Sequence, residues 1–200
     1  GLGHEGFKEV RKCERPINMY AFSKFQFDQY IRKHAVGFNS QVVGLRYFNV
    51  FGPREGHKGS MSSAAYHFNN QLVDTGKIKI FSGTEGVADG MQQRDFVYVK
   101  DCAAINLWLM ENPNVSGIYN LGSGTSRTFN DVAKGIADWH LSRSGKKGVV
   151  EYIPFPEQLK GSYQNFTKAD LSSLRNAGYK KPFYTLEEGI SDYLGWLETT

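Results

Sequence analysis

The chain alternates between short apolar segments of strand length and longer segments with helical spacing. Strands are predicted at 41–48, 77–81, 94–99, 117–121 and 149–153, and helices at 19–33, 62–74, 101–111, 129–141, 168–176 and 186–197. Asn18 and Asp101 are predicted to cap the first and third of these helices. This alternation favours an α/β fold with a mainly parallel sheet.

Composition and charge narrow the classes of partner. Hydrophobic residues make up 40% and charged residues 22%, an ordinary globular balance. The net charge of +4 suits an anionic small molecule, and the dispersed basic residues predict no nucleic-acid site. Because no apolar run approaches the length of a membrane span, no membrane association is predicted.

Cysteine and histidine carry little signal. Cys13 and Cys102 lie in unremarkable contexts and are interpreted as free thiols of a cytoplasmic protein, although a disulfide between them stays open. The five histidines show no metal-ligand spacing, so no metal site is predicted.

Tyr20 and Lys24 form a pair that is suited to acid/base chemistry. Residues four apart lie on one face of a helix. Tyrosine is a poor base near neutral pH because its unperturbed pKa is about 10, and a neighbouring ammonium lowers that pKa. A Tyr-x-x-x-Lys pair therefore offers an acid/base that exchanges a proton with an alcohol. Amphipathic surface helices also show this spacing by chance, so the pair alone leaves both interpretations open.

Further motifs give the pair its context. Residues 46–53 read RYFNVFGP, residues 94–101 read RDFVYVKD, and residues 119–124 read YNLGSG. Together with the Tyr/Lys pair they resemble the extended short-chain dehydrogenase/reductase family that acts on nucleotide sugars. The resemblance implies the C-terminal part of a Rossmann-type doubly wound sheet plus a smaller α/β substrate-binding domain.

Three more segments resemble the branch of that family that epimerises ADP-heptose at C6. Residues 52–61 (GPREGHKGSM) discriminate most, and residues 153–156 (IPFP) and 159–164 (LKGSYQ) match the same branch. The resemblance implies transient oxidation and re-reduction of ADP-heptose for lipopolysaccharide core biosynthesis, NADP as cofactor with NAD as the alternative, a cytoplasmic location and a homo-oligomer, a pentamer in that branch. Other nucleotide-sugar epimerases and dehydratases share the broader motifs and remain the alternative.

The resemblance also implies roles for individual residues. Tyr20 and Lys58 are the expected catalytic acid/base groups, because two positioned groups allow one for each epimer. Lys24 and Val50 are expected to contact the cofactor. The expected substrate contacts are Asn49, Ser60, His67, Phe81, Ser82, Gly83, Thr84, Arg94 and Tyr163.

Several of these residues have a plainer interpretation. The sequence around Lys58 is also typical of an exposed loop lysine. That around His67 is also typical of a histidine packed in the middle of a helix. Arg94 suits a diphosphate, because a guanidinium pairs with it bidentately. A structural ion pair with a neighbouring acid is the alternative for Arg94.

The predicted domain organisation is incomplete on the cofactor side. Residues 1–50 are expected to be the remaining part of an NAD(P)-binding domain and 51–200 mainly a substrate-binding domain, with 101–125 returning to the first. Nineteen residues before Tyr20 are too few for the βαβ units that hold a nucleotide. The turn at 122–124 is not the three-glycine fingerprint, because position 127 is Arg. The chain alone is therefore expected to be inactive, and a non-catalytic module that binds a sugar nucleotide or mediates assembly is the alternative of a different class.

Overall fold

The computed structural model describes residues 6–84, 86–159 and 163–199. The helices are α1 (Met19–His34), α2 (Ala64–Thr75), α3 (Val99–Glu111), α4 (Phe129–Ser144), α5 (Ser172–Asn176) and α6 (Leu186–Glu198). The strands are β1 (Val43–Tyr47), β2 (Asn49–Phe51), β3 (Lys77–Phe81), β4 (Gln93–Tyr98), β5 (Gly117–Leu121), β6 (Ser126–Thr128) and β7 (Val149–Ile153). Short 3₁₀ segments lie at Arg11–Cys13, Ala35–Gly37, Gly56–Met61 and Glu157–Leu159, and the third is kinked at Gly59.

Parallel pairing dominates the described strands. β1 pairs with β5 and β3 with β7, and β2 lies parallel to β4. β6 runs antiparallel to β4 on its other side, with Gln93 opposite Thr128. The predicted α/β fold with mainly parallel pairing is confirmed, whereas the short polar strand β6 was not predicted.

Most element ends follow local capping chemistry. Asn18 Oδ1 accepts a hydrogen bond from Ala21 N at 2.8 Å and starts α1, as predicted. Gly76, with φ of 72°, ends α2 in the left-handed conformation that glycine tolerates. Thr128 and Asp131 form a capping box at the start of α4, which continues to Ser144, three residues beyond the predicted end of the helix at 141.

The prediction that Asp101 caps α3 was wrong. Tyr98 occupies the N-cap position, and Asp101 lies in the first turn of the helix. Its buried carboxylate accepts a hydrogen bond from Tyr184 N at 3.1 Å, which fastens a segment 83 residues later in the chain. α5 also begins at Ser172 rather than at residue 168.

Two clusters of buried side chains form the core. The larger is built on β2, β3 and β4 with α2, α4 and α6 packed against them. The smaller joins Val97 of β4, Leu121 of β5 and the buried face of α3 to Leu174 and Tyr179. α1 contributes no buried residue to either cluster.

Cys13 and Cys102 are both buried and are not joined by a disulfide. Burial, with the nearby Asp101 charge, raises the pKa of Cys102 to about 12. Over the described ranges, no helix combines the length and the apolarity needed to cross a bilayer. Nor does any group of His, Cys, Asp and Glu in those ranges have an arrangement suited to a metal ion.

Candidate active site

Tyr20 and Lys24 lie on one face of α1, as their spacing predicts. The Lys24 Nζ lies 5.3 Å from the centroid of the Tyr20 ring. The Tyr20 side chain is 73% exposed. Neither the Tyr20 hydroxyl nor the Lys24 ammonium makes a hydrogen bond or ion pair with a described residue, so both groups are available to a ligand.

Tyr20 stands between two clefts. The first, the Lys24 cleft, has a volume of about 580 Å³ and is lined by Tyr20, Lys24, Phe25 and the end of β1, among others. The second, the Asn49 cleft, has a volume of about 410 Å³ and is lined by Tyr20, Asn49, Asn120 and Thr167, among others. Both volumes lie in the range of small-molecule sites.

A network of charges attaches α1 to β1 along the wall of the Lys24 cleft. Arg46 of β1 contacts Asp28 at 2.7 Å and Glu14 at 2.5 Å, and Arg32 donates two hydrogen bonds of 2.6 Å to the same Glu14 carboxylate. The Arg32 and Arg46 guanidinium groups lower the pKa of Glu14 to about 2, against the effect of burial. The wall carboxylates are therefore already paired, which leaves Lys24 as a cation that faces the cleft.

Lys58 and Ser60 lie apart from this pair. Both are exposed on the 3₁₀ turn Gly56–Met61, outside the two clefts. The turn follows Arg54, whose φ of 69° is unusual for a residue other than glycine. Tyr20 and Asn49 therefore line one cleft, whereas Lys58 lies on the separate turn Gly56–Met61, which we call the arch.

Arg94 occupies a buried aromatic subsite. Its guanidinium carbon lies 4.6 Å from the Tyr163 ring centroid and 6.0 Å from that of Phe129, and the residue is only 8% exposed. Burial lowers the pKa of Arg94. No described carboxylate lies within salt-bridge distance, so the structural ion pair considered above is not found in the described ranges. A buried cation that lacks a paired anion is chemically suited to bind one.

Aromatic contacts connect Phe81 to this subsite. Phe155 lies between the Phe81 ring, at 5.7 Å, and the Tyr163 ring, at 5.2 Å. The structure thus brings together Phe81, Tyr163 and Arg94, three predicted substrate contacts that lie apart in the sequence. It adds Phe155 and Phe129, which were not predicted as site residues, although Phe155 belongs to the IPFP motif.

Hydrogen bonds fix the backbone of the residues just after Phe81. Ser82 N donates to Ile153 O at 2.8 Å, and Gly83 N donates to the Asp89 carboxylate at 2.7 Å. Thr84 O accepts a hydrogen bond from Val87 N at 3.1 Å. A Cβ at position 83 would lie 1.9 Å from Val87 O, so the turn requires glycine there.

Two other predicted contacts lie elsewhere. Val50 packs against the smaller core cluster. His67 lies half-buried on α2, and its ring contacts that of Tyr66 at 5.9 Å.

The glycine turn at 122–124 is a structural clamp. The Ser123 and Gly124 N–H groups both donate to the fully buried Asp95 carboxylate, at 2.6 and 2.9 Å. Asp95 also accepts a hydrogen bond from Ala169 N at 2.9 Å. Because these N–H groups are occupied, the turn is not available to hold a phosphate, in agreement with the sequence interpretation.

Comparisons with known proteins agree with the motifs. The sequence profile of the NAD dependent epimerase/dehydratase family matches residues 2–122. An ADP-L-glycero-D-manno-heptose-6-epimerase from Alkalilimnicola ehrlichii is 52% identical over 192 residues, which make up 96% of this chain and 58% of that protein.

Solved structures give the same picture. The Helicobacter pylori ADP-L-glycero-D-manno-heptose-6-epimerase has a TM-score of 0.76 and 30% identity, over 100% of this chain and 58% of its own. A Thermus thermophilus UDP-glucose 4-epimerase in complex with NAD has a TM-score of 0.75 and 26% identity, over 97% of this chain and 58% of its own. The chain therefore spans less than two thirds of the length of these relatives.

These similarities confirm the predicted fold class and the family resemblance. The profile match covers more than half of the chain and contains Tyr20, Lys24, Lys58 and Arg94. The chain belongs to the NAD dependent epimerase/dehydratase family.

Proposed function

We propose that this chain, completed to the length of its relatives, epimerises ADP-D-glycero-D-manno-heptose at C6 to ADP-L-glycero-D-manno-heptose for lipopolysaccharide core biosynthesis. The observation that carries the proposal is the position of Tyr20, which lines both the Lys24 cleft and the Asn49 cleft. We propose that the cofactor occupies the first cleft and the sugar the second, so that the two meet at Tyr20. The relatives from A. ehrlichii and H. pylori are named for this activity.

The proposed chemistry needs two proton-transfer groups. The C6 carbinol loses a hydride to give a ketone, and the hydride returns to the opposite face of the carbon; a nicotinamide cofactor accepts and returns it. Tyr20 and Lys58 each serve one epimer: one accepts the hydroxyl proton during oxidation, and the other donates a proton to the ketone oxygen during reduction. In the reverse direction the two roles exchange.

The remaining residues bind and orient the substrate. Arg94 pairs with the diphosphate in its aromatic subsite, with Tyr163 and the 81–84 turn beside it. Asn49, Ser60 and His67 are proposed to contact the substrate as well. Burial of Arg94 supports this assignment, because a charge removed from water interacts more strongly with a bound anion.

The residues of the Lys24 cleft fit the nicotinamide-ribose end of the cofactor. The Lys24 ammonium offers three donors to ribose hydroxyls, and Tyr20 lies on the same wall. Because Arg32 and Arg46 occupy the wall carboxylates, no described acid competes for Lys24. We propose NADP as the cofactor, with Lys24 as its contact in this cleft and Val50, which lies outside the cleft, as a contact by family resemblance alone.

Domain division, assembly and location form part of the same proposal. The pairing of β1 with β5 supports a cofactor domain built from residues 1–50 and 101–125, because these strands and α3 share the smaller core cluster. The larger cluster then belongs mainly to the substrate domain. We further propose a cytoplasmic homo-oligomer, a pentamer by resemblance.

A chimera tests the activity. The part of the A. ehrlichii relative outside the matched region is joined to residues 1–200 to give what we call the completed protein. It is incubated with NADP and ADP-heptose, and separately with UDP-glucose and dTDP-glucose. We expect interconversion of the ADP-heptose epimers. Turnover of only the UDP- or dTDP-sugars would instead indicate a different nucleotide-sugar epimerase or dehydratase.

Calorimetric titration with NADP tests whether cofactor binding requires the part of the completed protein that comes from the A. ehrlichii relative. The 200-residue chain is expected to bind NADP weakly, because Asp95 already occupies the N–H groups of the glycine turn at 122–124, whereas the completed protein is expected to bind it tightly. Equally tight binding by the 200-residue chain would contradict this expectation.

A further inference from the structure

The arch that carries Lys58 lacks a packed core of its own. None of the residues of the turn Gly56–Met61 is buried, and the backbone bends sharply at Gly59, with φ of 55° and ψ of −125°. Exposed arches of this kind are held mainly by hydrogen bonds at their ends. The position of Lys58 therefore depends on what fastens the base of the arch.

One residue, Glu55, fastens both ends of the arch. Its carboxylate accepts hydrogen bonds from Ser63 N and Ser63 Oγ, both at 2.7 Å, and a longer one from Gly52 N at 3.4 Å. Its backbone carbonyl accepts from Lys58 N at 2.9 Å and from Ser62 Oγ at 2.8 Å. Glu55, which directly precedes the arch, thus connects Gly52 on one side, Ser62 and Ser63 on the other, and Lys58 within the arch.

The environment of Glu55 makes these bonds matter. The residue is 3% exposed, and no described cation pairs with its carboxylate. A buried carboxylate without a counter-ion depends on hydrogen-bond donors for its stability. Ser63 is also the N-cap of α2, so the two shortest hydrogen bonds to the Glu55 carboxylate come from a helix anchored in the larger core cluster.

We propose that Glu55 is a positioning residue for Lys58. Glu55 holds the turn Gly56–Met61 against α2, and this presents the Lys58 ammonium to the substrate. This inference rests on the proposed function, in which Lys58 is an acid/base group. Glu55 does not itself reach the reacting atoms; it acts through the backbone of the arch.

The substitution E55Q tests the proposal with little change in volume. Glutamine retains one acceptor oxygen but places an amide donor against the donors of Ser63 or Gly52. In the 200-residue chain, amide hydrogen exchange of residues 56–62 is expected to rise while that of β4 stays unchanged. Unchanged exchange in the arch would overturn the proposal.

Kinetics of the completed protein provide the second readout. E55Q is expected to lower kcat about 10- to 100-fold, the scale of a displacement of about 1 Å, with KM for ADP-heptose within about threefold. Single-turnover NADPH formation is then measured from each heptose epimer separately. E55Q is expected to slow the same epimer as K58A and to leave the other near the wild-type rate. Equal slowing of both epimers would overturn the positioning role.

The controls separate this role from general destabilisation and from failure of the function. E188Q weakens an exposed capping box on α6 and is expected to leave both epimers unaffected. A wild-type completed protein without ADP-heptose turnover would overturn the proposed function and with it the role of Lys58. Wild-type turnover that E55Q leaves unchanged would overturn only the inference about Glu55.

Discussion

The helix α1 and the strand β4 carry the two parts of the candidate site, and they are held in different ways. β4 buries five of its six residues, and its Arg94 lies in an aromatic subsite. α1 buries none of its sixteen residues and exposes large apolar side chains, with Phe27 62% exposed. What connects α1 to β1 is the charge network of Glu14, Asp28, Arg32 and Arg46.

The difference between α1 and β4 shows what holds the candidate residues of each element in position. Packing holds Arg94 in place before a substrate arrives, so the proposed anion-binding part of the site is preorganised. The placement of Tyr20 and Lys24 depends on ion pairs along one wall and on a helix with an exposed apolar surface, a feature that often marks a contact surface. Binding and proton transfer are therefore expected to respond differently to mutation, pH and salt.

The largest expected effect separates activity from stability on α1. Y20F removes the hydroxyl that we propose transfers a proton, and it is expected to lower kcat of the completed protein about 10²- to 10⁴-fold. The melting temperature should stay unchanged, because the side chain is exposed and its hydroxyl has no described hydrogen-bond partner. Y30F, at another exposed tyrosine of the same helix, is the control and should retain full activity. A large loss of melting temperature in Y20F would contradict the view of α1 as a surface helix.

The matching experiment on β4 is R94M. Loss of the guanidinium is expected to raise KM for ADP-heptose about 10- to 100-fold, the value of charge-assisted hydrogen bonds to a diphosphate. The free energy of unfolding should stay level or rise by up to about 1 kcal/mol, because a buried cation without a described carboxylate partner is removed. R143M is the control, since Arg143 also lies over an aromatic ring, that of Trp139, but far along α4 on the surface. An unchanged KM in R94M would assign Arg94 to structure alone.

Local sequence signals predicted α1 and β4 themselves, but not the long-range contacts that hold the neighbouring elements in place. The Asn18 cap and the Tyr20/Lys24 spacing depend on residues within one or two turns, so both were predicted correctly. Asp101 was misassigned because its partner, Tyr184 N, lies 83 residues away. β6 was missed because three polar residues form a strand only through pairing with β4.

The same limit applies to the site. Arg94 was named from its motif, but its burial against Phe129 and Tyr163 depends on elements that follow it by more than thirty residues. The sequence motif around Lys58 likewise gave no indication that Glu55 fastens both ends of the arch. Contacts between distant segments decide the case of Arg94. The contacts of Glu55 are local, to residues at most eight positions away, but they depend on the backbone conformation of the turn between them, which the sequence motif does not specify.

The third prediction tests the ionic attachment of α1 through Glu14. Its pKa in the folded chain is lowered to about 2 from an ordinary 4.5, so its contribution to stability is present above pH 4.5 and is lost as pH falls towards 2. E14Q is expected to cost on the order of 1–2 kcal/mol near neutral pH after solvent screening, and this difference should vanish towards pH 2. Denaturant unfolding across this pH range measures it. E198Q, which breaks an exposed pair with Arg143, is the control and should cost less than about 0.5 kcal/mol.

The smallest expected effect has the opposite pH dependence and lies just after β4. Burial raises the pKa of Asp101 to about 6 from an ordinary 3.8, opposed by the hydrogen bond from Tyr184 N. A carboxyl whose pKa is raised on folding contributes stability below pH 3.8 and loses that contribution as pH rises through 6. D101N keeps an oxygen acceptor for Tyr184 N and does not ionise, so relative to wild type it should gain about 1 kcal/mol or less between pH 4 and pH 7. A difference that stays flat over this range would show that packing around β4 does not penalise the charge. Opposite slopes for E14Q and D101N would establish that charge pairing holds the α1 side, whereas apolar burial dominates the β4 side.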